Sequence, residues 1–119
     1  MEAAKMKFHY FELYARGEPI RMAMWKGKVP YENCRYTGDK WKEFKANKAK
    51  CAFGQVPVLE LADGTCLTQT MTILHYIGDI TGQKPKDPLL NAKGDEMAQR
   101  VNLDVMPKFP GALFSKDDD

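Results

Sequence analysis

The sequence predicts an α/β domain with the element order βαβαββα and a four-stranded mixed sheet. Three observations lead to this prediction: short apolar runs typical of strands, stretches with helical apolar spacing, and a hairpin signal at Ala62-Asp63-Gly64. A crossover unit followed by a hairpin packs most economically as one mixed sheet with helices on its faces. The chain has 119 residues and is 44% hydrophobic, which is enough for a single packed core.

The first strand and the first helix are predicted before residue 28. Residues 8–10 alternate apolar and polar side chains, as a short strand does. From Gly17 to Gly27 apolar residues recur at helical spacing, and Pro19 lies in the first turn of this predicted helix. Both histidines, His9 and His75, have the character of ordinary strand and helix residues without an acidic partner.

The next elements complete the predicted sheet. Residues 31–35 form a second short strand candidate, and Trp41 and Phe44 then lie three apart on one helical face. Two further strands, over residues 58–61 and 65–67, flank the Asp-Gly turn and form a hairpin.

The segments at the two ends of this hairpin have features suited to ligand binding. Gln69 and Thr70 begin a predicted helix over residues 69–78, whose unpaired first amides could hold a carboxylate. Pro57 cannot donate a ladder hydrogen bond, so the amide and carbonyl of Val56 are expected to stay exposed. The bond between these two residues is a candidate for the cis form.

The chain is expected to divide into a domain over residues 1–81, a linker over 82–90 and a helical segment over 91–119. The linker range is rich in glycine, proline and polar residues. Apolar spacing in the last range predicts one more helix, which stops or kinks near Pro107 and Pro110. Because that helix lacks a cover for its apolar side chains, we expect a homodimer or a larger protein assembly through it.

Composition argues against several classes of function. The net charge is only +2 and no basic stripe is present, so nucleic acid is not an expected partner. The sequence has neither a signal-peptide pattern nor a run of 18 apolar residues, which predicts a cytoplasmic protein without membrane contact. Cys34, Cys51 and Cys66 show no zinc spacing, so we expect buried or half-buried thiols and no metal site.

Four motifs together resemble the N-terminal, thioredoxin-like domain of a glutathione transferase, nearest to the tyrosine-dependent sigma and mu type. They are YFELYARGEPIR, WKEFK, FGQVPVLE and LTQTMTILHYI, which begin at Tyr10, Trp41, Phe53 and Leu67. The resemblance covers nearly the whole chain and implies a thioredoxin-like fold. It also implies that residues 91–119 are the truncated start of an all-α domain, in which Asp104 would reach a partner subunit's glutathione site.

The resemblance implies a glutathione transferase that conjugates the glutathione thiolate to an electrophilic small molecule. Tyr10 would be the catalytic residue, because a hydroxyl that donates to a thiolate lowers the pKa of the thiol. Without the motif, Tyr10 would be taken as a core aromatic residue. The nearest cysteine in sequence is Cys34, so disulfide exchange is disfavoured.

The resemblance also implies a set of substrate-binding residues for glutathione. They are Arg16, Trp41, Lys45, Gln55, Val56, Pro57, Gln69 and Thr70. Trp41 and Lys45 would bind the glycyl carboxylate, the backbone of Val56 the cysteinyl part, and the helix start at residues 69–70 the γ-glutamyl end.

Ordinary alternatives remain open for these residues. Lys45 could be one solvated cation among several, and Gln69 and Thr70 could simply cap a helix. For the whole chain, the alternative to an enzyme is a non-catalytic, glutathione-transferase-like scaffold or binding subunit of a larger protein assembly.

Overall fold

The computed structural model describes residues 5–113, which form two compact units that divide after Gln83. The first unit combines a sheet with helices, and the second unit is helical. Within residues 5–113, no helix is both long and apolar enough to cross a membrane.

The first unit contains the predicted four-stranded mixed sheet, with the spatial order β2-β1-β3-β4. The strands are β1 (Met6–Phe11), β2 (Tyr31–Tyr36), β3 (Val58–Glu60) and β4 (Cys66–Thr68). β1 pairs with β2 in parallel and with β3 in antiparallel orientation, and β4 pairs antiparallel with β3. The sheet therefore joins a crossover unit to a hairpin, as the sequence predicted.

Three helices accompany this sheet: α1 (Gly17–Lys26), α2 (Gly38–Ala46) and α3 (Thr70–Thr81). Side chains of β1 and β3 pack with those of α1 and α3 into the main core. Its buried residues are Phe8, Tyr10, Ile20, Met24, Leu59, Ile73 and Ile77. Strand alternation sends His9 to the opposite face, where a smaller cluster contains Phe44, Cys51 and Val58.

The prediction that His9 lacks an acidic partner was wrong. His9 is only 3% exposed, and its Nε2 lies 2.8 Å from Oε2 of Glu60 on β3. Glu60 follows His9 by 51 positions in the chain, and antiparallel pairing of β1 with β3 brings the two strands together. Sequence spacing alone carries no sign of such a contact.

The hairpin and the thiols agree with their predictions. The Asp63 side chain accepts the amide of Thr65 at 2.9 Å, which stabilises the turn between β3 and β4. Cys51 is a buried free thiol, and Cys34 and Cys66 are half-buried free thiols.

The second unit begins with α4 (Pro88–Gln99), inside the range predicted as linker. The helix begins there because the Asp87 side chain accepts the amides of Leu89 and Leu90, at 2.8 and 3.1 Å. A wider π-helical segment follows over Arg100–Val105. A short 3-10 turn over Met106–Lys108 and the helix α5 (Phe109–Leu113) complete the described unit. The predicted stop or kink near Pro107 and Pro110 is only partly met: the α-helix already gives way to the π-helical segment at Arg100, Pro107 lies in the 3-10 turn, and Pro110 lies inside α5.

Candidate functional site

Strand register brings most of the predicted site residues to one end of the sheet. His9 pairs with Val58, and Val58 pairs with Thr68. Because the three strands alternate in direction, the segment after β1, the segment before β3 and the segment after β4 all meet at this end. Tyr10, Val56 and Gln69 lie in or beside these three segments.

Tyr10 has a buried ring and a hydroxyl at the loop that follows β1. The residue is 5% exposed, and its ring stacks on Phe8 with centroids 6.2 Å apart. The hydroxyl oxygen accepts the backbone amide of Arg16 at 3.1 Å. The ring therefore belongs to the core, which agrees with the alternative interpretation of Tyr10 as a core aromatic residue. The hydroxyl oxygen nevertheless reaches the loop.

The pKa of Tyr10 lies above its ordinary value of 10.0. Burial of the phenol is the main cause, and the amides of Arg16 and Gly17 oppose it in part. The hydroxyl is accordingly protonated at neutral pH. A hydroxyl whose oxygen accepts an N–H keeps its own proton to donate.

Two residues around Tyr10 were missed as functional residues. Arg21 is 9% exposed, its guanidinium carbon lies 5.6 Å from the Tyr10 ring centroid, and it donates to the carbonyls of Phe11 and Leu13. It thereby ties the loop to α1. Gly17 lies against the Tyr10 ring, where a Cβ would come within 2.4 Å of Cδ1. The sequence signal that could have pointed to Arg21 was its charge, next to the apolar positions of the predicted helix.

The bond between Val56 and Pro57 is cis. Val56 lies ahead of β3 and outside its pairing registers with β1 and β4. Its backbone can therefore pair with an extended ligand, a mode of recognition that uses main-chain groups. The neighbouring Gln55 is exposed, and its carbonyl accepts the thiol of Cys51 at 3.4 Å.

Gln69 and Thr70 lie at the N-terminal end of α3. The exposed Gln69 has φ 73° and ψ 125°, a conformation that non-glycine residues rarely adopt, and its side chain makes no capping hydrogen bond. Thr70 is buried and begins the helix. Simple capping by Gln69 therefore does not account for this residue, and the first-turn amides of α3 can serve an anionic group.

Trp41 and Lys45 lie on the same face of α2. The Lys45 Nζ is 6.0 Å from the Trp41 ring centroid, and Lys45 is exposed to solvent. The half-buried Trp41 ring meets the Phe11 ring edge-on at 4.9 Å. Since Phe11 is the last residue of β1, this contact brings α2 to the same end of the sheet as Tyr10.

Other predicted features lie outside this group. Asp104 belongs to the second unit, where it accepts a hydrogen bond from Arg100 at 2.9 Å. Over the described range 5–113, no group of three or more histidine, cysteine and acidic side chains is arranged to hold a metal ion. The charged and polar groups at the sheet end suit an anionic, peptide-like ligand.

A sequence comparison finds relatives along almost the whole chain. A glutathione S-transferase from Anopheles gambiae is 31% identical over 112 residues, which are 94% of this chain and 53% of that protein. The chain thus spans about half the length of the curated relatives it matches.

Solved structures of similar fold agree with this result. A Nu-class glutathione transferase from Haemonchus contortus superposes with a TM-score of 0.73 and 32% identity, over 82% of this chain and 46% of its own. The glutathione S-transferase from Ascaris lumbricoides superposes with a TM-score of 0.80 and 27% identity, over 97% of this chain and 56% of its own. These likenesses confirm the predicted thioredoxin-like fold.

The sequence profile for the glutathione S-transferase N-terminal domain matches residues 6–79. This range begins at the first residue of β1 and extends almost to the end of α3, so it includes every element that contributes to the sheet end described above. More than half of the chain is matched, and the chain therefore belongs to the glutathione S-transferase N-terminal domain family.

Proposed function

We propose that this chain binds glutathione and provides the thiolate-stabilising half of a glutathione transferase, with Tyr10 as the catalytic residue. The observation that carries the proposal is the Tyr10 hydroxyl, which accepts the Arg16 amide at 3.1 Å and keeps its proton to donate. Its raised pKa supports the same role, because a protonated hydroxyl is the form that donates to a sulfur anion.

The chemistry required of Tyr10 is a shift of a thiol equilibrium. A free thiol with a pKa of about 8.5 is a few per cent ionised at pH 7. A hydrogen bond to the thiolate that lowers this pKa by about two units supplies roughly 2.7 kcal/mol and makes the thiolate dominant. The thiol proton passes to solvent, and the thiolate attacks an electrophilic carbon to form a carbon–sulfur bond.

The remaining site residues would orient the tripeptide. Trp41 and Lys45 would bind the glycyl carboxylate through an indole N–H and a positive charge. The Val56 backbone, held beside the cis bond to Pro57, would pair with the cysteinyl part. The γ-glutamyl end would lie at the start of α3, against Gln69 and Thr70. Arg16 and Gln55 would border the ligand from the two adjoining loops.

Calorimetric titration with glutathione tests the binding part of this proposal. Loss of a hydrogen bond to a charged group costs about 1.5–3 kcal/mol, so we expect Gln69→Ala to weaken binding at least about tenfold. Gln99→Ala is the matched control, because Gln99 is exposed on α4. Wild-type affinity in the Gln69 variant, or no heat from the wild-type chain, would contradict the proposal.

A second candidate function is a non-catalytic scaffold, in which the chain joins a homodimer or a larger assembly through residues 91–119. The observation that favours it is the exposure of Met97, Val101 and Val105, at 67%, 49% and 43%. Sedimentation velocity measures the association, and glutathione turnover separates the two candidates. Association without turnover or glutathione binding would favour the scaffold. For either function we propose a cytoplasmic location.

A further inference from the structure

Helix α2 contacts the sheet through the buried Phe44 and through the edge-on contact of Trp41 with Phe11. Phe44 is the one buried side chain of α2, a helix whose residues are all described. Its ring stacks on the rings of His9 and Tyr36, each at a centroid distance of 4.6 Å. The position of Phe44, and through it that of α2, therefore depends on how the rings of His9 and Tyr36 are held.

The His9 ring is held at both nitrogens. Its Nε2 lies 2.8 Å from Glu60 Oε2, and its Nδ1 lies 2.7 Å from the Tyr36 hydroxyl. Burial works against ionisation of Glu60, but the hydrogen bonds from His9 and Lys50 outweigh it and lower the pKa of Glu60. The carboxylate can only accept, so Nε2 carries the imidazole proton and Nδ1 accepts the hydroxyl proton of Tyr36. Burial raises the pKa of Tyr36 to about 12, which keeps that proton in place.

The same carboxylate also holds the segment that leads from α2 to β3. The Lys50 Nζ donates to Glu60 Oε1 at 3.0 Å, and the backbone amides of Lys50 and Cys51 donate to the Asn47 carbonyl. The Cys51 thiol then donates to the Gln55 carbonyl at 3.4 Å. The Glu60 carboxylate thus connects His9 of β1 with Lys50, in the segment that leads to Pro57.

We infer that His9 is a positioning residue for α2, and that it holds Trp41 and Lys45 in place for the glycyl end of the tripeptide. This inference rests on the proposed function for the identity of the ligand. His9 touches no part of the proposed ligand; it acts through the Phe44 ring. The charged groups that act on His9 are Glu60, Lys50 and Lys7, and Tyr36 completes its hydrogen bonds.

Paired titrations with glutathione and γ-glutamylcysteine, which lacks the glycine, test this inference. We expect His9→Leu to weaken glutathione binding about tenfold, because α2 is displaced, and to leave γ-glutamylcysteine binding within about twofold of wild type. His9→Gln should recover most of the loss, since its amide can donate to Glu60 and accept from Tyr36. Equal weakening for both peptides, or no weakening for either, would overturn the inference.

A milder variant covers the case in which His9→Leu fails to fold. Tyr36→Phe removes only the hydroxyl that bonds Nδ1 and keeps the ring that stacks on Phe44. We expect it to weaken glutathione binding about threefold without affecting γ-glutamylcysteine. Tyr31→Phe is the matched control, because Tyr31 lies on the same strand but packs against Phe8. Equal affinities in both variants would contradict the inference.

Fluorescence of Trp41 provides a measurement that needs no ligand. Trp25 is 81% exposed on α1, so a Trp25→Phe background leaves Trp41 as the single emitter. We expect His9→Leu and Tyr36→Phe to shift the Trp41 emission to the red, because the ring loses its contact with Phe11. If the wild-type chain binds neither peptide, the proposed function fails and this measurement alone decides the inference. An unchanged emission would refute it.

Discussion

At the scale of single residues, the position of Tyr10 depends on the absence of one carbon atom. A Cβ on Gly17 would lie 2.4 to 2.9 Å from three atoms of the Tyr10 ring, which is closer than such contacts occur. The ring is packed on its other sides by core residues and by Arg21, so it cannot yield freely. The glycine therefore allows the hydroxyl to reach the Arg16 amide.

Gly17→Ala should destabilise the first unit by about 1–3 kcal/mol, through overpacking against the Tyr10 ring. Alanine has a higher helix propensity than glycine and would otherwise stabilise α1. A loss of stability therefore indicates crowding against the Tyr10 ring. Gly94→Ala is the control, because Gly94 lies in α4 with nothing within 4 Å of its added Cβ, and it should stabilise. Urea denaturation measures both changes. A Gly17 variant as stable as wild type would contradict the close contact.

Because His9 is buried, the first unit should lose stability as the pH falls. Burial lowers the pKa of His9 below 6.5, and the interactions with Glu60 compensate only in part. As the pH falls below about 6.5 the unfolded chain takes up a proton at His9 before the folded protein does, so the free energy of unfolding falls. His9→Gln should flatten this slope between pH 7.5 and 5.5 in denaturation curves. An unchanged slope would contradict the assignment.

At the scale of elements, helix α3 begins with a strained residue. Gln69 has φ 73°, a backbone conformation that is favourable for glycine. It costs other residues about 1–3 kcal/mol of conformational energy. Strain that is retained beside a helix N-terminus is consistent with a ligand-binding role for this position.

Gln69→Gly should therefore stabilise the first unit by about 1 kcal/mol and weaken glutathione binding at the same time. Thermal unfolding and calorimetric titration of the same sample provide the two readings. Gln83→Gly is unsuitable as a control, because the Gln83 side chain donates hydrogen bonds to the Ala23 carbonyl and the Thr81 hydroxyl. Gln99→Ala serves instead. Loss of stability in Gln69→Gly would show that the backbone is not strained.

Helix α4 begins at a capping residue, Asp87, which lies in the range that the sequence predicted to be a linker. Asp87→Ala removes the acceptor of the Leu89 and Leu90 amides and should cost about 1 kcal/mol of local stability. Amide hydrogen exchange across residues 88–92 is the measurement, and Asp87→Asn should behave nearly as wild type. Unchanged protection in the alanine variant would exclude the capping role.

Local patterns were sufficient for the elements that obey local rules. The hairpin at Asp63 follows from turn chemistry within a few residues, and the helix start at Thr70 follows from the apolar spacing after it. The start of α4 was missed because glycines and prolines around it indicated a loop, although proline also begins helices.

Contacts between distant segments could not be predicted in this way. His9 and Glu60 lie 51 positions apart, and only the pairing of β1 with β3 brings them into contact. The bonds of Arg21 to loop carbonyls depend likewise on tertiary packing. The resemblance supplied the candidate site residues, but not the residues that hold them.

At the scale of the whole molecule, the candidate site is a product of strand order. Antiparallel pairing of β1, β3 and β4 brings the Tyr10 hydroxyl, the Val56 backbone and the Gln69 helix start to one sheet end. α2 joins them through the contact of Trp41 with Phe11. No single element contains the candidate site, so glutathione binding there would require the intact first unit.

We propose that the Tyr10 hydroxyl stabilises the thiolate of bound glutathione. Ultraviolet thiolate absorbance of the glutathione complex, followed from pH 5 to pH 9 in wild type and Tyr10→Phe, measures it directly. We expect a thiol pKa about two units below 8.5 in the wild-type complex and a value of about 8.5 in the variant, with similar glutathione affinity in both. An identical thiol pKa in the two proteins would show that the Tyr10 hydroxyl does not stabilise the thiolate.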